Sequence, residues 1–285
     1  MPIRLLISLM VLVGSWGFAN PGALAKPGSG KEKTQSEISE ILADRTLDKT
    51  VRFVINNSLF TLYHEVGHLL VDKQQWPVLG REEDVADNFA TYILLTQRRR
   101  AFEQALKDAA LGWRLEGEAR GARTAGDFYG EHSLDLQRAY QIVCMMVGED
   151  RRTFSVTASE WGIDRRRQSG CRDDYEQISR SLEQLISPNR DKNSRAEVTV
   201  NYERAGARLA LAYKTLRESR LLESVAEDIR NNYGLTTPVL ITAMVCDEPN
   251  AFYDSQSSEI IVCYELLDDY FDMINAHIEA SGGRD

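Results

Sequence analysis

The segment TLYHEVGHLL, residues 61–70, constrains this chain most, because it places two histidines and a glutamate in an apolar run. The surrounding apolar residues recur at helical spacing, which predicts a helix from about residue 50 to residue 74. In that helix His64 and His68 are four residues apart and project from the same face. Two imidazoles on one face indicate either a pair of satisfied core histidines or a shared metal ion.

The motif HEVGH favours a zinc ion. Glu65 follows the first histidine, and a carboxylate at this position can reach a zinc-bound water without binding the ion itself. Zinc lowers the pKa of such a water toward about 7 and polarises a substrate carbonyl. We therefore interpret His64 and His68 as zinc ligands, and Glu65 as the general base and then the general acid of a hydrolysis.

A catalytic zinc needs a third protein ligand and one open position. Candidates lie in GREEDVADNFA, residues 80–90, where Glu83 and Asp87 have the spacing of one helix face. We choose Glu83 as the ligand, and we expect Asp87 to accept a hydrogen bond from the outer N–H of a ligating imidazole. Spacing alone leaves Glu82, Asp84 and Asp87 open as ligands, because acids are also common at helix starts without a metal.

These motifs resemble those of a known group of enzymes. HEVGH followed by EDVAD is similar to the HExxH plus ExxxD pattern of gluzincin-type zinc peptidases, including the HtpX-like membrane peptidases. The resemblance implies that Glu83 is the ligand. His132 and Arg138 in EHSLDLQR reproduce the H-x5-R element of that group, which implies that His132 donates to the oxyanion and Arg138 holds an acidic group of the site. From the residues alone, His132 is more often a surface or capping residue.

The chain after its first residues is also similar as a whole to a domain-of-unknown-function family of exported bacterial proteins regarded as metallopeptidases. The order of its motifs differs from HtpX-like peptidases, because NAF at 250–252 follows the zinc helix instead of preceding it. If the arrangement is permuted, the strand at 250–252 or its partner at about 260–263 is an edge where an extended peptide can add. The alternative is a hairpin that covers the core.

The cysteines predict disulfides. Cys144, Cys171, Cys246 and Cys263 form an even set, which in an exported chain favours two disulfides over metal ligation, and no CxxC spacing is present. Of the possible pairings we prefer 144 with 171 and 246 with 263, because the second pair brackets a probable hairpin.

The first residues predict export. Residues 1–25 combine a positive Arg4, the apolar run LLISLMVLVGSWGFA and the small residues ALA, which is typical of a signal peptide. Cleavage after Ala19 and an uncleaved anchor are the alternatives. We expect a periplasmic or secreted protein. The formal net charge of −9 argues against nucleic acid as a partner.

The remaining chain predicts one zinc metallopeptidase-like domain. Residues 26–45 are polar and predict a flexible linker, and residues 46–285 form the domain, with a helical part over 46–190 and an α+β part over 195–280. The predicted fold class is α+β, a mainly helical zincin-like domain with the HExxH helix and a small C-terminal β-hairpin or sheet.

The predicted function is zinc-dependent hydrolysis of peptide bonds in a peptide or protein substrate, with no membrane span after the leader is removed. Two alternatives remain open. One is a zinc-containing binding or structural protein without turnover, and the other is a zinc hydrolase of a non-peptide amide such as cell-wall material.

Overall fold

The structure of the chain is a computed structural model, and it describes residues 29–44, 48–121, 123–190 and 192–282. The predicted signal peptide over residues 1–25 lies outside this part. Within the described ranges, no helix combines the length and the apolar composition that a membrane crossing requires.

Helices dominate the described chain, and the strands lie in its last third. This architecture confirms the prediction of a mainly helical α+β fold with a small C-terminal sheet. In chain order the elements are α1 (Ser29–Ala43), α2 (Lys49–Gln74), α3 (Glu82–Thr96), α4 (Arg100–Ala119), α5 (Gly126–Tyr129), α6 (Asp135–Glu149), α7 (Arg151–Glu160), α8 (Arg165–Ile186), β1 (Val198–Tyr202), α9 (Ala210–Ser219), α10 (Leu221–Asn232), β2 (Val239–Met244), β3 (Ala251–Asp254), β4 (Glu259–Cys263) and α11 (Tyr264–Ala280).

Helix α2 is the centre of the fold. Nearly every residue between Phe53 and Val71 is buried, because α3, α4, α11 and strand β3 all pack against this helix. Asp48 caps its start by accepting a hydrogen bond from the backbone N–H of Thr50. A helix that is buried on all sides holds its polar side chains in fixed positions, which matters for the histidines that it carries.

The sheet has the strand order β1, β2, β4, β3. Strands β1, β2 and β4 run parallel, whereas β3 pairs antiparallel with β4, with Ala251 opposite Val262. The hairpin is therefore formed by β3 and β4. Strand β3 is at the edge of the sheet and packs against α2.

The prediction of a flexible linker over residues 26–45 is wrong for Ser29–Ala43, which form helix α1. Ile38 and Leu42 are four residues apart and are buried in the core, and α1 packs against α10 and α4. The polar composition of this segment concealed a narrow apolar stripe, and such a stripe is sufficient to fix a helix on a larger core.

Two disulfides link elements that are distant in sequence. Cys144 on α6 is bonded to Cys171 on α8, and Cys246, after β2, is bonded to Cys263 at the end of β4. This is the pairing that the sequence analysis preferred. Two disulfides fit an exported protein.

The close packing of α6 on α8 gives a prediction for stability. A Cβ atom added at Gly148 would lie 2.8 Å from the Cβ of Tyr175 and still closer to the carbonyl oxygen of Cys171. We expect Gly148→Ala to lower the free energy of unfolding by about 1–3 kcal/mol, although alanine is the better helix former. Urea unfolding followed by circular dichroism measures this change.

Gly170→Ala on α8 is the matched control. Its added Cβ meets only the end of the Arg167 side chain, at 3.1 Å, which is free to move. We expect this variant to be neutral or stabilised by up to about 1 kcal/mol. Equal effects of the two substitutions would contradict the packing explanation.

Candidate metal centre

The site is formed where α2 and α3 approach each other closely. Gly67 of α2 faces Ala86 of α3, and a Cβ atom at Gly67 would lie 2.9 Å from the Cα of Ala86. The glycine inside the HEVGH motif therefore permits the backbones to come together. This approach places the histidines of α2 beside the acidic first turn of α3.

Three side chains converge at this contact. His64 Nε2 lies 3.2 Å from His68 Nε2 and 3.1 Å from Glu83 Oε2, and His68 Nε2 lies 3.4 Å from the same oxygen. These side chains retain little exposure, from 7% for His64 to 16% for Glu83. Of the acids that the sequence left open as ligands, Glu83 is the one whose carboxylate oxygen joins both imidazoles, and the three residues could hold a metal ion.

Hydrogen bonds on the other ring nitrogens determine which atoms face the centre. His64 Nδ1 lies 2.8 Å from Asp87 Oδ1, and His68 Nδ1 lies 2.8 Å from Glu82 Oε1. Carboxylates accept hydrogen bonds, so both Nδ1 atoms carry the proton and a neutral ring presents the lone pair of Nε2. When both rings are neutral, two nitrogen lone pairs and a carboxylate oxygen point at one another, so a proton or a metal ion can lie between them.

This arrangement fits a small divalent ion. In tetrahedral coordination with bonds of about 2.0–2.1 Å, neighbouring ligand atoms lie about 3.3 Å apart. The three distances of 3.1, 3.2 and 3.4 Å form a triangle of that size. Imidazole nitrogen and carboxylate oxygen are also donors that zinc accepts.

The electrostatics of the centre favour a positive charge. Burial alone would lower the pKa of His64, but its hydrogen bonds with Asp87 and Glu83 raise it to about 9. Burial would raise the pKa of Glu83, yet the imidazoles of His132, His64 and His68 hold it well below its ordinary value. A proton or a metal ion can meet this demand for positive charge.

Arg138 fixes the acid that orients His64. Its Nε and Nη2 atoms each donate to Asp87, at 2.7 Å, and all three members of the chain from Arg138 through Asp87 to His64 are buried. The guanidinium lies over the ring of Trp113, 3.5 Å from its centroid. Burial alone would raise the pKa of Asp87, but the charge and the two hydrogen bonds of Arg138 lower it. The bidentate pair therefore keeps the Asp87 carboxylate ionised.

Glu65 lies on the side of α2 that faces a large cavity. Its side chain is 3% exposed, it lines the cavity together with His64 and His132, and among the described residues no donor forms a hydrogen bond to it. Burial raises the pKa of Glu65, and His64 and His68 oppose this rise. A buried carboxylate without a donor is available to accept a proton from a molecule in the cavity.

In a comparison with protein families, residues 30–186 and 203–282 match a family model. The chain belongs to this family, DUF4344, which is described as "Putative metallopeptidase". The description points to a hydrolase that uses a metal and acts on peptides or proteins. Comparisons with curated proteins and with solved structures found no significant match.

In this DUF4344 chain, His132 lies beside the group that could hold a metal ion. Arg81 donates to the backbone oxygen of His132 at 2.7 Å, and Ser133 donates to Asp84 at 2.7 Å, which attaches the loop before α6 to the start of α3. His132 Nε2 lies 2.9 Å from Glu83 Oε2, so its N–H is used by that carboxylate. The predicted role at the oxyanion stays a prediction.

Two contributors to the site were not predicted from the sequence. Glu82 was considered only as an alternative ligand, whereas its carboxylate lies against His68 Nδ1. Tyr270 on α11 also lines the cavity, and its hydroxyl lies 3.0 Å from Thr61 Oγ1, one helical turn before Glu65. The separation of 209 positions between Thr61 and Tyr270 offered no local signal.

Adjacent acids on α3 provide a test of the ligand set. We expect Glu83→Gln to weaken zinc binding by more than about 10-fold, because an amide replaces a charged donor that points at both imidazoles. Titration of the metal-free protein with zinc measures the affinity. Glu82→Gln is the neighbouring control and should weaken binding less, since Glu82 contacts only the outer nitrogen of His68. A larger loss for Glu82→Gln than for Glu83→Gln would contradict the assignment.

Proposed function

We propose that the protein is an exported zinc-dependent peptidase, periplasmic or secreted, that hydrolyses peptide bonds with Glu65 as the general base. The observation that carries this proposal is the convergence of His64 Nε2, His68 Nε2 and Glu83 Oε2 next to a cavity that also exposes the Glu65 carboxylate. Membership of a metallopeptidase family and two disulfides support it.

His64, His68 and Glu83 would hold the zinc. When bound there, zinc supplies a positive charge that acidifies a coordinated water and polarises the carbonyl of the scissile bond. The chain keeps these ligands ready before the ion arrives, because Asp87 and Glu82 fix both imidazoles in the tautomer that presents Nε2.

Glu65 would move the proton. Its carboxylate accepts a proton from the attacking water and later gives it to the leaving amine, so no covalent bond forms between substrate and enzyme. Burial within α2 holds the side chain in a fixed position, and no competing donor in the described chain occupies it. Loss of this single carboxylate should therefore remove catalysis while the metal ligands remain.

The edge of the sheet would bind the peptide. Strand β3 is the last strand of the sheet, it packs against α2, and Asn250 and Ala251 at its start line the cavity. An extended peptide can pair with the free edge of such a strand through main-chain hydrogen bonds. This feature favours a peptide or protein substrate over a non-peptide amide.

His132 would act on the other side of the bound substrate. Its imidazole lines the same cavity as Glu65, is half exposed and is held by the loop contacts to α3. This ring could donate to the oxygen that becomes negative during attack once its Nε2–H no longer donates to Glu83.

The experiment that tests this function compares wild type with Glu65→Gln. We expect Glu65→Gln to keep stoichiometric zinc and to lose at least about 100-fold in hydrolysis of casein and of a blocked peptide library. Metal analysis and fluorogenic peptide assays measure the two quantities. Glu118→Gln is the control, because Glu118 is an exposed residue that pairs with Arg114 on the surface of α4.

Three other results would contradict the proposal, each in a different way. Zinc binding without cleavage of any peptide by the wild type would contradict the peptidase and favour a zinc-containing binding protein. Cleavage of peptidoglycan fragments in place of peptides would show a hydrolase of another amide. Peptide cleavage that survives in Glu65→Gln would contradict the assigned base.

A further inference from the structure

The cavity beside the metal centre extends well beyond it, with a volume of about 710 Å³. Faces of α2, α4 and α11 form its walls together with residues from 123–138 and 249–251. On α2 the lining residues lie one turn apart from Asn57 through Phe60 to His64, and α4 contributes Trp113 and Glu116 at helical spacing. The cavity thus has room for several substrate groups besides the scissile bond.

Helix α11 forms a wall of the cavity that carries none of the proposed catalytic residues. Leu266, Asp269, Tyr270 and Met273 all line the cavity, and their spacing places them on one face of the helix. The hydroxyl contact between Tyr270 and Thr61 holds this face against α2. Asp269 is consequently a carboxylate set between apolar side chains in the same cavity as Glu65.

Asp269 has no cationic partner among the described residues. Three arginines line the same cavity. Arg120 lies 3.3 Å from Glu116 and 2.7 Å from Asp135, Arg138 is bonded to Asp87, and Arg123 is exposed. Burial, and then the carboxylates of Glu116 and Asp272, raise the pKa of Asp269, as expected for a carboxylate whose negative charge is poorly compensated. A positive group from outside the chain would compensate it.

We infer that Asp269, with Glu116 beside it, selects peptide substrates that carry a lysine or arginine side chain near the scissile bond. The apolar surfaces of Leu266 and Met273 suit the aliphatic stem of such a side chain, and the carboxylate suits its charged end. This inference rests on the proposed peptidase function and adds the class of substrate to it.

The same wall disfavours other side chains. An acidic side chain would meet Asp269 and Glu116 as like charges in a partly buried cavity, which is costly. An apolar side chain of similar length would fill the space but leave Asp269 without a partner. A basic side chain can both pack its aliphatic stem on the apolar residues of the wall and pair its charge with Asp269.

Internally quenched peptides that differ at one position test this inference. The series carries lysine, arginine, methionine or glutamate next to the cleaved bond, with both termini blocked so that no terminal amine can substitute for the side chain. We expect wild-type kcat/KM for lysine and arginine to exceed that for methionine at least about 10-fold, as for a hydrogen bond to a charged group.

Substitutions at Asp269 should change this ratio. With Asp269→Asn we expect the lysine to methionine ratio to fall close to 1, and with Asp269→Lys we expect glutamate to become the better substrate. Ratios measured on one preparation do not depend on the fraction of folded enzyme. Glu279→Gln is the matched control on an exposed part of α11 and should keep the wild-type ratio.

The outcomes separate this inference from the proposed function. Cleavage of the series without preference for lysine or arginine, or a preference that persists in Asp269→Asn, overturns the role of Asp269 and leaves the peptidase intact. A preference that appears only with unblocked peptides shows recognition of a terminal amine and also overturns it. A zinc-loaded wild type that cleaves no peptide overturns both.

Discussion

Three hydrogen-bond acceptors point at one another between α2 and α3, and much of the structure keeps them there. An imidazole nitrogen from each of His64 and His68 and an oxygen of Glu83 would repel one another if nothing positive lay between them. Gly67 allows the two helices to approach, and Asp87 and Glu82 orient the rings. A cation between the three acceptor atoms would remove their mutual repulsion. This is the physical reason to regard the group as a candidate metal centre.

The support for this centre extends into the helical core. Arg138 on α6 donates to Asp87, and Asp87 is hydrogen-bonded to His64, so buried, charge-assisted hydrogen bonds connect α6 to the candidate ligand His64. Helix α6 is in turn fixed to α8 by the Cys144–Cys171 disulfide and by the close approach at Gly148. The disulfide thus stabilises the elements that position the site, although it lies outside the centre itself.

The sequence predicted the parts of the site that depend on local spacing. The four-residue step between His64 and His68 follows from helix geometry alone, whereas the preference for Glu83 over its acidic neighbours came from the resemblance to ExxxD. Glu82, Glu83 and Asp84 share the same first turn, and only the tertiary contact with α2 distinguishes them.

Helix α1 was not predicted for the same reason. Its short apolar stripe stabilises a helix only through packing against α10 and α4, which the local sequence does not reveal. Asp269 and Tyr270 could not be found, since they reach the cavity from the far end of the chain.

Anomalous diffraction at the zinc absorption edge can locate a zinc ion bound between α2 and α3. In crystals of the protein grown with zinc, we expect a single strong anomalous peak about 2.0–2.2 Å from His64 Nε2, His68 Nε2 and an oxygen of Glu83. A peak elsewhere, or no peak at this position when zinc is present in excess, would show that these three residues do not hold the ion.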